Sequence, residues 1–183
     1  FKEITAITHL QETPPTSKTY EELVNDFIAY YENLKKEFPT DSFGWEAEID
    51  ATKIYESQDI INISLDYYTF TGGAHGYKGK NSLIFDLKKI RSLKIEDVIK
   101  NEKDFLIYAE KKFREKYRIS PKENINSTGF MFENDKFVLP NNIFFQEKGI
   151  LLYYNTYEIA AYVEGPKELF FKYSEVNKFL KIK

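Results

Sequence analysis

His75 is the residue of this chain whose surroundings could do chemistry. It lies in Thr71-Gly72-Gly73-Ala74-His75-Gly76-Tyr77-Lys78-Gly79, a stretch that holds four of the chain's eight glycines. An imidazole titrates near neutrality, so it can serve as general base, proton shuttle or metal ligand. Glycine is used where backbone takes a positive φ, or where a neighbour comes too close for a Cβ. Placed straight after the apolar run Ile60 to Tyr68, the stretch describes a shaped loop carrying a polar probe at a strand end. The other histidine, His9, is remote, near the amino terminus.

The rest of the chemical inventory is poor. A metal site needs several convergent ligands. With two histidines and no cysteine, the available set is His75 with Asp66 or Asp86, and neither metal nor cofactor is expected. No Gly-x-Ser-x-Gly marks a nucleophile, and the glycine loop lacks the Lys-Ser/Thr pair of a phosphate cradle. Glu46, Glu48 and Asp50 read as the wet face of a strand. Two readings of His75 stay open. As a clasp, it is buried with both ring nitrogens bonded to protein groups. As a binding element, it is partly exposed beside Gly72, Gly73 and an aromatic such as Tyr68, Tyr157 or Tyr162. The clasp is the plainer reading.

Composition bounds the partners. At 183 residues with 42% hydrophobic and 17% aromatic content, the chain can pack a sizeable core. Fourteen Tyr and sixteen Phe against one Met favour sheet surfaces. The net charge of −3 is small and mixed in sign and gives no reason to expect nucleic acid as a partner, which would call for a basic face. No apolar run approaches the ~20 residues that span a bilayer. The chain begins abruptly at Phe1, and composition assigns it no compartment.

These residues must be positioned by an α+β fold. Phe1 to Leu10 alternates weakly and predicts a first strand, after which Thr13 to Ser17 breaks regular structure. Thr19 and Glu22 form a capping box ahead of Leu23, Val24, Phe27, Ile28, Tyr31, Leu34 and Phe38 at helical spacing, ended by Pro39. That apolar face is expected to bury against Trp45, Ile49, Ile61, Ile63 and Leu65. Trp45 to Tyr55 and Ile60 to Tyr68 predict antiparallel strands, with Asn62, Ser64, Asp66 and Tyr68 on a wet face. Ser82 to Leu87 predicts another strand, Ser92 to Val98 a short helix and Glu102 to Tyr117 a longer one. Phe105, Ala109 and Phe113 of that helix are expected to bury near Ile143, Phe145, Leu151 and Tyr153. Phe130 to Phe132 and Phe137 to Leu139 predict a hairpin. Ile143 to Gln146 and Ile150 to Tyr154 predict a second one, with Gly149 left-handed. Glu168 to Tyr173 predicts the last strand. The pattern is helix then strands, repeated: two helix-plus-antiparallel-sheet halves packed as one compact unit.

Tyr68-Thr69-Phe70-Thr71-Gly72-Gly73-Ala74-His75-Gly76, followed by Phe85-Asp86-Leu87 and Leu93-Lys94-Ile95-Glu96-Asp97-Val98, resembles the join between two bacterial domains, DUF4163 and DUF3298. Tyr157-Glu158-Ile159-Ala160-Ala161-Tyr162-Val163-Glu164-Gly165-Pro166 is similar to the DUF3298 signature, departing from it at Ala161, where Pro is common. Tyr173-Ser174-Glu175-Val176 sits where that family has its closing element. The resemblance implies a DUF4163-like half over 1–79 and a DUF3298-like half over 80–183. It implies an extracytoplasmic, periplasmic or cell-surface setting, with a lipid anchor through a missing N-terminus. It further implies a non-enzymatic binding role toward a lysozyme-like protein or cell-wall peptidoglycan, because such domains occur in lysozyme-sensing anti-sigma factors and beside peptidoglycan deacetylase domains. Tyr68, Gly72, Gly73, His75, Tyr157, Glu158 and Tyr162 are the candidate ligand-binding residues. The rival expectation is a cell-wall hydrolase with His75 as general base. Tyr157-Glu158-Ile159 also reads as a structural corner, with Ile159 in the core.

Overall fold

The computed structural model describes residues 1–8, 16–39 and 43–182. His9, Leu10 and residues 13–15 of the predicted break lie outside them. The elements run α1 (Lys2–Thr8), α2 (Tyr20–Glu37), β1 (Glu46–Glu56), β2 (Ile60–Phe70), β3 (Tyr77–Asp86), β4 (Arg91–Leu93), α3 (Ile95–Val98), α4 (Glu102–Tyr117), β5 (Asn142–Gln146), β6 (Gly149–Tyr154), β7 (Lys167–Lys172) and α5 (Tyr173–Val176). Two antiparallel sheets result, ordered β1-β2-β3-β4 and β5-β6-β7, so the fold is α+β. The chain divides into two units, the first comprising residues 1–49 and 67–78 and the second residues 50–66 and 79–183.

In the first unit, the expected opening strand is a helix. Thr5 and Thr8 donate their hydroxyls to the carbonyls of Phe1 and Ile4, four residues back, at 3.1 and 3.2 Å. Such back-bonding lets β-branched residues sit in a helical turn, and it outweighs a weak alternation. The start of α2 has half of the predicted capping box: Thr19 Oγ1 accepts from Glu22 N at 3.1 Å. The Glu22 carboxylate accepts from Lys18 N at 2.6 Å, one residue before the cap, so the reciprocal half of the predicted box is shifted by one residue and ties down the entering chain instead. The apolar face of α2, however, is not core. Only Leu23 is buried in this helix, while Val24, Ile28 and Leu34 are 56%, 48% and 36% exposed. Phe27, Tyr30 and Tyr31 gather around Trp45, with ring centroids 5.6–5.7 Å apart. Helical periodicity reports which side of a helix is apolar; it does not report what covers that side.

The second unit contains the main core. Phe105, Ala109 and Phe113 of α4 are fully buried, as expected. Phe105 packs on Phe171 and Phe179 at 5.7 and 5.4 Å. Phe113 meets Tyr117, Phe130, Phe132, Phe137 and Tyr154 at 4.5–6.0 Å. Asn101 caps α4 by accepting from Asp104 N, and Arg118 ends it in the left-handed region at φ 57°.

The residues expected to form the first late hairpin are instead irregular, with a 3₁₀ turn over Glu133–Asp135. The Asn126 side chain occupies the backbone of Phe132, accepting from its N–H at 2.8 Å and donating to its carbonyl at 2.9 Å. A side-chain amide thus takes the place of a neighbouring strand. The second hairpin is present, with Gln146 paired to Gly149. Gly149 is not left-handed as expected. It serves close approach, since a Cβ there would lie 1.9 Å from the Phe171 carbonyl oxygen.

The face of β2 predicted to be wet is buried at Asn62 and Ser64, while Asp66 and Tyr68 on it are partly exposed. Asn62 is 0% and Ser64 3% exposed. Asn62 Oδ1 accepts from Phe145 N at 2.7 Å, and its Nδ2 donates to Leu83 O at 3.0 Å and Ser82 Oγ at 2.9 Å. Ser82 N donates to Asn142 Oδ1 at 2.9 Å and Ser82 Oγ to Ile143 O at 2.6 Å. A polar seam therefore joins β2 and β3 to β5. Strands β5 and β6 have both faces covered, which explains the unbroken apolar run Ile143-Phe144-Phe145.

Candidate binding site

The candidate residues fall into groups, one in each unit. In the first unit, the glycine loop has the expected conformation. Gly72 and Gly73 take φ values of 103° and 88° with open space where a Cβ would stand. Gly76 does a different job, because a Cβ there would lie 2.3 Å from the Tyr68 ring. The loop is thus wrapped against Tyr68, over which Lys78 places its ammonium at 5.9 Å. His75 is exposed, and its Nδ1 lies 3.1 Å from the Gly76 carbonyl oxygen. The buried clasp is therefore corrected: glycines and an aromatic ring shape this loop, and the imidazole faces solvent.

In the second unit, Asn155 to Tyr162 forms a tight corner after β6. The Glu158 carboxylate accepts from Asn155 N at 2.7 Å and closes the turn, and Ile159 is buried at 2%. Burial pushes the Glu158 carboxyl up from its ordinary value, and the Asn155 N–H works against that rise. Tyr157 sits at φ 70°, a conformation that bulky side chains avoid. Its ring is 53% exposed and stands 5.3 Å from that of Tyr162, which is 37% exposed. The corner is structural in its Glu and Ile; its two tyrosines form an exposed aromatic pair.

Sequence reasoning missed a third feature, also in the second unit. A cavity of about 260 Å³ opens between the two sheets, lined by Ile54, Ser64, Lys80, Phe144, Leu151 and Tyr153 together with Gln146 and Glu168. Lys80 pairs with Asp66 at 2.7 Å, and Ser64 Oγ donates to the same carboxylate at 2.6 Å. Burial raises the Asp66 pKa, but these two partners overcome that and hold it below its ordinary value. No sequence signal marks this cavity, because its lining comes from six strands; an alternating face with serine and lysine at inward positions was the available hint.

Asp86 accepts from the backbone N–H groups of Lys88 and Lys89 at 2.9 and 2.8 Å. Among the described residues no group of three or more His, Asp or Glu is placed to hold a metal ion. No helix among them is long and apolar enough to cross a membrane.

Residues 94–174 match the model of the DUF3298 family, described as a protein of unknown function. Residues 5–78 match a model described as Deacetylase PdaC, where the sequence resemblance named DUF4163. Over 140 residues the chain is 25% identical to the peptidoglycan-N-acetylmuramic acid deacetylase PdaC of Bacillus subtilis. That match takes in 74% of this chain and spans 29% of the relative's length. A solved structure of a DUF3298 family member from Bacteroides fragilis superposes with a TM-score of 0.71 at 21% identity, covering 91% of this chain and 71% of the other. A DUF3298 family protein from Pseudomonas aeruginosa gives a TM-score of 0.58, also at 21% identity, over 84% and 69% of the two chains. These structures share the fold.

Proposed function

We propose, from the match of residues 94–174 to the DUF3298 family and of residues 5–78 to the PdaC model, that the chain is a non-enzymatic, extracytoplasmic binding domain of the bacterial cell envelope that recognises cell-wall glycan. The observation that carries the reading is the Tyr157–Tyr162 pair, two exposed rings 5.3 Å apart, one on strained backbone. Strain of this kind persists where surrounding structure enforces it, and it gathers at binding sites. Tyrosine presents a broad apolar face with a polar tip, suited to the C–H faces and hydroxyl rim of a sugar. The relation to a peptidoglycan deacetylase supports the choice of ligand. The glycine loop with Tyr68, Gly72, Gly73 and His75 is a second contact element in this proposal, and a lipid anchor upstream of Phe1 is part of it.

A lysozyme-like protein is the second reading, favoured by the exposed apolar side of α2. Pelleting with purified peptidoglycan, beside capture of lysozyme and turnover assays on the same glycan, tests the proposal. Glycan binding that is lost in Tyr157→Ala and Tyr162→Ala, without turnover, is the expected result. Capture of lysozyme alone would replace the ligand. Turnover abolished by His75→Ala in a folded variant would replace the proposal with the hydrolase reading.

A further inference from the structure

We infer that the cavity between the two sheets of the second unit is a subsite for a single neutral pyranose ring, and this rests on the glycan reading above. Size comes first. Pockets for drug-sized ligands run to roughly 300–1,000 Å³, whereas this one holds about 260 Å³, room for one ring rather than a chain segment. Its walls divide by chemistry. Phe144 and Tyr153 meet edge to face, with centroids 5.9 Å apart, and with Leu151 and Ile54 they offer an apolar surface. Ser64, Lys80, Gln146 and Glu168 offer both donors and acceptors. A pyranose has the matching division, with C–H groups on its faces and hydroxyls around its rim.

The electrostatics favour an uncharged guest. The Lys80 ammonium is compensated by Asp66 at 2.7 Å, so an anion would find no uncompensated cation there and would face Glu168. A purely apolar guest would strand the polar groups it covered. The DUF3298 corner holds one wall in place. Asn155 accepts from Lys80 N at 2.7 Å and donates to Lys80 O at 2.9 Å, acting as a stand-in strand, while its own N–H is fixed by Glu158. Asn155 is thus a positioning residue for Lys80, which links the motif to the cavity.

The test is a two-dimensional NMR titration of the 183-residue chain with N-acetylglucosamine, N-acetylmuramic acid and inorganic phosphate. The expected result is saturable shifts at the Ile54 and Leu151 methyls and the Gln146 side-chain amide with N-acetylglucosamine. Binding should weaken at least tenfold in Gln146→Ala, and in Leu151→Trp, which fills the space. Gln146→Ala keeps the test decisive if the tryptophan variant does not fold. Sugar-induced shifts confined to Tyr157 and Tyr162, with pelleting on peptidoglycan retained in Gln146→Ala, would overturn the subsite and leave the glycan reading standing. Shifts with phosphate but not sugar would overturn the ligand class. No shift with either sugar, together with no pelleting, would overturn both.

Discussion

Replacing Asn62 by alanine removes the centre of the seam that joins β2 to β5. Two backbone groups lose their side-chain partner: the buried Phe145 N–H, bonded at 2.7 Å, and the partly buried Leu83 C=O, bonded at 3.0 Å. Ser82 keeps its own bond to Ile143 O at 2.6 Å, so it adds little. A buried group left unsatisfied costs about 1–3 kcal/mol, which puts the total at roughly 2–6 kcal/mol for this pair. Asn62→Leu restores the volume without the bonds, so it should lose a similar amount. Urea unfolding with an unchanged m-value measures the loss, and hydrogen exchange at the Phe145 amide localises it. A loss below ~1 kcal/mol in the alanine variant, with the Phe145 amide still protected, would refute the argument from unsatisfied groups.

Phe113→Ala should cost ~3–5 kcal/mol, the range for a fully buried phenyl group, whereas partly exposed Phe27→Ala should cost about 1–2 kcal/mol; equal losses by chemical denaturation would contradict the assignment of core to the second unit. Gly72→Ala should cost ~1 kcal/mol from its positive φ alone, while Gly76→Ala must push the Tyr68 ring aside, visible as shifted Tyr68 ring resonances. His75→Ala should change stability by less than ~0.5 kcal/mol, as exposed positions do; a larger loss in thermal melts would restore the clasp. The Glu158 pKa is raised above 4.5 by burial. Its contribution is therefore fully present below the unfolded-state value and is lost as pH rises through the folded-state value. Glu158→Gln should remove that loss, giving a flatter stability profile just above pH 4.5, and parallel profiles for the two proteins would refute it.

Helix α4 was legible to the residue, from Glu102 to Tyr117, because its apolar side and its burial coincide. The Thr19 cap of α2 was equally legible, because it acts through local backbone, whereas the Glu22 carboxylate reaches one residue further back than the motif predicts. Failures arose where a side chain replaced backbone pairing or burial departed from polarity. Asn126 stands in for a strand beside Phe132, and Asn155 does the same beside Lys80, neither of which a hydrophobic pattern can report. Asn62 and Ser64 look solvated by type, yet they are buried because every polar atom finds a partner. At the candidate site, the left-handed glycines and the corner role of Glu158 and Ile159 were readable from type and spacing. The exposure of His75, the pairing of Tyr157 with Tyr162 and the inter-sheet cavity were not, since each depends on groups distant in sequence or on how the corner bends.

The central claim, recognition of cell-wall glycan through the Tyr157–Tyr162 pair, is tested most directly by pelleting the chain with purified peptidoglycan. Intact protein should be retained, and Tyr157→Ala and Tyr162→Ala, each with an unchanged melting temperature, should stay in the supernatant. Equal retention of all three proteins, or no retention of the intact chain, would contradict it.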